Sequence, residues 1–132
     1  MLRNKDVVQP ELSYLIYGFC FKVHNQLGKF RNEKQYADAL EQLFKINQIP
    51  YEREKRLPES FDGEKSSRNI VDFLIDDTIV LELKAKRIIT TEDYYQTKRY
   101  LVSCNKKLAI IVNFRQQYLM PKRVLNSQYS QK

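Results

Sequence analysis

Apolar residues in the first part of the chain return at steps of three and four. Over residues 11–27 they fall at Leu12, Leu15, Ile16, Phe19, Cys20, Val23 and Leu27, which marks one face of an α-helix. Pro10 precedes this stripe, Glu11 suits the positive end of the helix dipole, and Gly28 supplies a left-handed stop. A second helix is expected behind Asn32, an N-cap with Gln35 in capping-box spacing. It runs to about Asn47 with Tyr36, Ala37, Leu40, Leu43 and Phe44 as its stripe. Ile49-Pro50 breaks it. The period then drops to two, and residues 51–57 read as a charged strand with one partly exposed face. Residues 59–68, with Asp62-Gly63 and Ser66-Ser67, are too polar to pack and form a loop.

Two short apolar runs follow, residues 70–75 and 79–83, joined at Asp76-Asp77-Thr78. β-branched runs around such a turn predict a hairpin buried on most of both faces. Thr90 or Thr91 can cap a third helix that ends near Asn105. Residues 108–114 form a further buried strand and residues 117–124 a last edge strand, because Pro121 cannot donate to a central ladder. The polar tail from Asn126 is expected to fray. A chain of 132 residues organised in this way is one domain, with its core over about residues 11–125.

Composition narrows the class. Lys and Arg number 23 against 16 Asp and Glu, a formal charge of +7, which suits a nucleic acid, an anionic membrane surface or plain solubility. No stretch approaches the roughly 18 apolar residues of a membrane span. The start, Met1 to Asp6, lacks the apolar core of a signal peptide, so a soluble cytoplasmic protein without membrane attachment is expected. Cys20 and Cys104 form no CxxC pair and read as structural thiols. His24, the single histidine, rules out a two-histidine zinc site and reads as a packed or hydrogen-bonded side chain beside the first helical stripe. Hydrolytic chemistry would then fall to carboxylates, lysine and a hard metal ion.

Charged residues inside the most apolar segment carry the functional signal. Asp72 interrupts the first hairpin run, and Glu82 and Lys84 interrupt the second. Burying carboxylates in a sheet costs several kcal/mol unless a cation or a hydrogen-bond network compensates. Glu82 and Lys84 share one face of their strand, with Leu81 and Leu83 on the other. Asp72 and Glu82 have the even index sum 154, so an odd-length loop, most simply Asp76-Asp77-Thr78, is needed to bring them to one face. Two carboxylates and an ammonium would then converge in an oxygen-rich site suited to Mg²⁺ or Mn²⁺. A buried salt-bridge network without catalysis is the competing explanation.

Asp72, nine intervening residues and then Glu82-Leu83-Lys84, with a helix before and a helix and strand after, resembles the PD-(D/E)XK nuclease superfamily. Within it the chain is most similar to the GxxExxY protein family, over roughly residues 11–125. The matching positions are Leu27-Gly28, Glu33, Tyr36, Asp72, Glu82-Leu83-Lys84, Gln96 with Tyr100, Ile111 to Phe114, and Lys122-Arg123. Phe30 stands where the naming glycine is usual, and Asp93 where a histidine often precedes the glutamine.

The resemblance implies a mixed α/β, restriction-endonuclease-like domain with an αβββαβ core and an extra N-terminal helix. It implies Asp72, Glu82 and the Leu83 main-chain carbonyl as ligands to Mg²⁺ or Mn²⁺, and Lys84 as the residue that orients or deprotonates the attacking water. Glu33 would reach the same metal directly or through water, or else serves only the dipole of the second helix. Gln96 and Tyr100, four apart on one helix face, would position substrate phosphate or brace the site, although packing explains Tyr100 as well. Lys86, Arg87, Lys98, Arg99, Lys106, Lys107, Lys122 and Arg123 are candidate phosphate contacts, with Tyr94 and Tyr95 as stacking residues. The implied activity is phosphodiester hydrolysis on nucleic acid, DNA ahead of RNA. The alternative is a catalytically silent nucleic-acid-binding module, or a subunit of a larger repair or defence complex that retains the fold. So small a nuclease has little surface for sequence readout, and a homodimer or a partner protein would supply specificity.

Overall fold

The computed structural model describes residues 10–130. The signal-peptide reading of Met1 to Asp6 concerns residues outside them. The elements are α1 (Pro10–Leu27), α2 (Glu33–Ile46), β1 (Tyr51–Arg56), β2 (Ile70–Ile75), β3 (Ile79–Lys84), α3 (Thr91–Cys104), β4 (Leu108–Asn113) and β5 (Lys122–Leu125). The five strands form one sheet in sequence order, antiparallel except for the β3–β4 pair. That parallel pair is joined through α3, as parallel strands require. The arrangement is a mixed α/β fold of the restriction-endonuclease type.

The helices start and stop where their caps dictate. Asn32 accepts from the Gln35 N–H while the Gln35 side chain accepts from Asn32, and Thr90 and Asp93 form the same reciprocal box at the head of α3. Gly28, at φ 80°, ends α1 with its N–H on the His24 carbonyl at 2.8 Å. α1 and α2 cover one side of the sheet, where Ile16, Cys20, Tyr36, Leu40 and Phe44 pack on Phe73, Leu81, Leu83 and Val112. α3 covers the other side through Tyr100 and Leu101 against Val71, Leu74, Val80 and Ile111. His24 is structural, its Nε2 lying 2.7 Å from the Gln116 carbonyl. Burial pushes the Cys20 thiol up to about 12, which keeps it inert.

One expectation is corrected at the C-terminal end. The last strand is Lys122–Leu125 rather than residues 117–124, because the segment before it serves a turn. There the Gln116 side chain accepts from the Met120 N–H, and Leu119 is buried under α1 and α2. Residues 126–130 are tied back by side-chain hydrogen bonds. Asn126 donates to the Leu101 and Lys106 carbonyls, and Asn105 and Ser130 exchange hydrogen bonds of 2.7 and 3.1 Å. The polar side chains replace the apolar contacts that a packed tail would otherwise need.

Candidate active site

β2 and β3 pair as Ile75 with Ile79, Leu74 with Val80 and Phe73 with Leu81, around the three-residue turn Asp76-Asp77-Thr78. The index sum of 154 holds throughout, so Asp72 and Glu82 come next in register. At that point the backbone ladder stops and side chains replace it. The Asp72 N–H donates to Glu82 Oε1 at 3.1 Å, and the Leu83 N–H donates to Asp72 Oδ2 at 2.7 Å.

The cause lies partly in β1. Its pairing with β2 skips Glu54 opposite Asp72, and Glu54 adopts a left-handed φ of 52°. Val71 and Leu74 both pack beneath α3, whereas Phe73 and Ile75 pack beneath α1 and α2. Strict alternation is therefore broken at Asp72, in the manner of the local distortions that re-aim strand side chains.

Both carboxylates are held against their preference for water. Burial, then the charge of Asp72, pushes Glu82 up to about 8. Burial likewise raises Asp72, and the nearby Glu33 charge adds to it. Among the described residues neither carboxylate has an ion pair within 4 Å. Lys84 is close enough to pull both downward, yet its ammonium lies 3.8 Å from Asp93. Tyr100, buried beside the carboxylates and facing their charge, is pushed up to about 12 and keeps its hydroxyl proton.

Glu33, Asp72, Glu82, Lys84 and Tyr100 are thus brought together. Glu33 heads α2 and shares a cleft of about 260 Å³ with Asp72 and Leu83. Gln96 is half-buried one turn before Tyr100. The predicted phosphate contacts are not gathered in one place. Lys86 and Arg87 follow β3 at the site end, and Lys98 and Arg99 flank a groove on the outside of α3 with Tyr95. Lys106 and Lys107 lie at the opposite end of the sheet, where Lys106 pairs with Asp77 of the hairpin turn at 3.2 Å. Lys122 and Arg123 sit on β5 opposite Ile111 and Ile110, with Arg123 also reaching the Tyr17 hydroxyl at 3.3 Å.

Sequence reasoning missed three supports. Asp93 is nearly buried and gathers Lys86 at 2.6 Å, Lys84 and both Thr90 donors. Burial opposes its charge, but the Lys86 and Thr90 hydrogen bonds and the Lys84 charge hold it down at about 2. Asn113 clamps the exit of β3, accepting from the Lys86 N–H and donating to its carbonyl at 2.7 Å. Arg115 ties the loop before α2 to this end of the sheet. The sequence signals available were the Thr90-x-x-Asp93 cap and an asparagine ending an apolar run.

A family model of the PD-(D/E)XK nuclease superfamily matches residues 10–124. The chain belongs to that superfamily. No curated protein and no solved structure matches it. PD-(D/E)XK membership suggests metal-dependent nuclease chemistry on nucleic acid, and such nucleases generally use divalent ions such as Mg²⁺. No helix among the described residues is long and apolar enough to cross a membrane.

The donor set suits a hard divalent ion that keeps part of its water. Among the described residues no three His, Cys, Asp or Glu side chains form a ready metal cage. Mg²⁺, however, needs only one or two carboxylates beside waters and substrate phosphate. Buried Glu82 and half-buried Asp72, with no paired cation among the described residues, meet that need.

Proposed function

We propose that this protein is a divalent-metal-dependent nuclease of the GxxExxY type that hydrolyses phosphodiester bonds. Asp72, Glu82 and the Leu83 carbonyl would hold Mg²⁺ or Mn²⁺, with Glu33 at the edge of the same cleft. A bound ion supplies charge neutralisation at the phosphate and a more acidic water. Lys84 orients that water or stabilises the charge that develops on the phosphate. Asp93 holds Lys84 at a distance from the carboxylates, so the ammonium does not collapse into a plain salt bridge with them. Tyr100 closes the α3 side of the site, and Gln96, one turn earlier, is available to position substrate. The substrate is nucleic acid, with DNA ahead of RNA.

One observation carries the proposal: buried Glu82 and half-buried Asp72, mutually repelling, are fixed by each other's strands and, among the described residues, have no cation within 4 Å. A structural ion-pair network would have placed Lys84 between them. The test is calorimetric Mn²⁺ titration beside cleavage of labelled single- and double-stranded DNA and RNA, with EDTA as control. Asp72→Ala should lose Mn²⁺ binding and cleavage together. A wild-type protein that binds no divalent ion and cuts none of the four substrates would leave the silent binding module as the better description.

A further inference from the structure

Residues 28–32, between α1 and α2, are restrained along their whole length. The Tyr36 hydroxyl donates to the Gly28 carbonyl at 2.6 Å and accepts from the Arg31 N–H at 3.1 Å. Tyr36 is itself fixed by stacking on Phe114, with ring centroids 4.2 Å apart. The Arg115 guanidinium donates to the Lys29 carbonyl at 2.7 Å and the Arg31 carbonyl at 3.3 Å. Asn32 closes the segment with its capping box. Phe30 stands in the middle of this clamp, 80% exposed.

Single exposed apolar side chains are ordinary, and Tyr14 and Tyr118 are as open. The surroundings of Phe30 set it apart. The Lys29 ammonium lies 5.5 Å from its ring centroid, and Arg31 follows it. Two residues further on begins a cleft of about 420 Å³, lined by Asn32, Glu33, Lys34, Ala85 and Arg115. Glu33 joins this opening to the one containing Asp72. An aromatic ring is thus presented on a restrained loop, beside the Lys29 ammonium and two residues before Asn32, which lines the cleft that Glu33 joins to Asp72.

We propose that Phe30 is a stacking platform for an unpaired nucleobase, with Lys29 and Arg31 taking the phosphates on either side, so that the substrate entering this cleft is single-stranded or frayed. The inference rests on the nuclease reading above. Every base has a π-face, so stacking tolerates any sequence. Bases inside a duplex already spend theirs on neighbours, so only an unpaired base gains from the ring. Flanking cations match phosphates, and Lys29 beside the ring would be poorly matched to the core of a protein partner's interface, where lysine is depleted. Because hydrogen bonds already hold the loop, little ordering cost is left for binding.

The test is fluorescence anisotropy of the full chain in EDTA with three labelled probes of equal length: oligothymidylate, the same strand made abasic, and a blunt hairpin duplex. Phe30→Ala should weaken oligothymidylate binding about tenfold, within the range for one stacked base. It should leave the abasic strand, the duplex and the salt dependence unchanged, and Phe30→Trp should restore wild-type affinity. The exposed position predicts an unaltered thermal midpoint for both variants. The proposal is overturned by a Phe30→Ala protein that binds oligothymidylate as wild type does, or by equal losses on all three probes. It is also overturned if the substitution changes the oligomeric state and not strand binding, which would make the ring a protein contact. Should any of these occur while the wild type cleaves with Mn²⁺, the nuclease reading stands and only the stacking role falls. A wild type that neither binds these probes nor cleaves with Mn²⁺ removes both.

Discussion

At the turn end of the β2–β3 hairpin, Phe73 faces Leu81, Leu74 faces Val80 and Ile75 faces Ile79, all buried and joined by a regular ladder. One residue beyond, the same two strands present Asp72 and Glu82, and the ladder gives way to carboxylates bonded to main-chain N–H groups. The turn end lowers the free energy of the fold. The open end, with its two carboxylates raised by burial, opposes it. Adjacent residues of one strand therefore answer to different demands, and substitutions can separate them.

The sharpest test sets neighbours against each other. Leu81→Ala, at a fully buried position, should cost about 2–5 kcal/mol in a urea unfolding experiment. In metal-free protein at pH 8, Glu82→Gln should be no less stable than wild type, because it removes a buried charge repelled by Asp72. Similar losses in both variants would mean that the open end is packed for stability after all.

Next in size, Lys84→Ala should retain Mn²⁺, since a protonated lysine is no metal ligand, and yet lose cleavage by at least ~10²-fold. Cleavage at the wild-type rate would remove Lys84 from the chemistry.

Asp93 probes the support of the open end. Its carboxyl is held at about 2 against an ordinary 3.8, so its contribution is complete above about pH 4 and is withdrawn as pH falls toward 2. The difference amounts to about 2 kcal/mol. Unfolding free energies of wild type and Asp93→Asn should converge over that window, and curves that stay parallel would contradict the assignment. The smallest effect is expected at the turn end. Lys106→Ala with Lys107→Ala should leave nucleic-acid affinity within about twofold, since they lie more than a Debye length, ~10 Å at 0.1 M salt, from the carboxylates. A large loss there would show that the basic residues act as one surface.

Much of this molecule is written in local signals. The Asn32 and Thr90 boxes, the Gly28 stop, the three-residue hairpin turn and the 3.6- and 2-residue periods each depend on a few neighbouring side chains, and the structure follows them. What stayed hidden depends on distant closure. The distortion at Asp72 lies opposite Glu54, in a left-handed conformation one strand away. The α1–α2 loop is held by Arg115, more than eighty residues later. The candidate phosphate contacts of the second half are near in sequence, but β3 and β4 run parallel with α3 between them. The chain therefore crosses the length of the sheet between Arg87 and Lys106, leaving its charges at both ends.

The left-handed residue Glu54 has a second effect, on assembly. β1 is an outer strand of the sheet, and an unbroken outer strand offers its free N–H and C=O groups to any other chain. Here that margin reads Tyr-Glu-Arg-Glu-Lys-Arg, with Glu52, Glu54 and Arg56 in solvent and a kink at its centre. Charge and curvature together deny a second strand a flat template. The irregularity that opens the carboxylate pair on the inner side of β1 also guards its outer side against edge-to-edge aggregation, so straightening residue 54 would endanger solubility as well as the site.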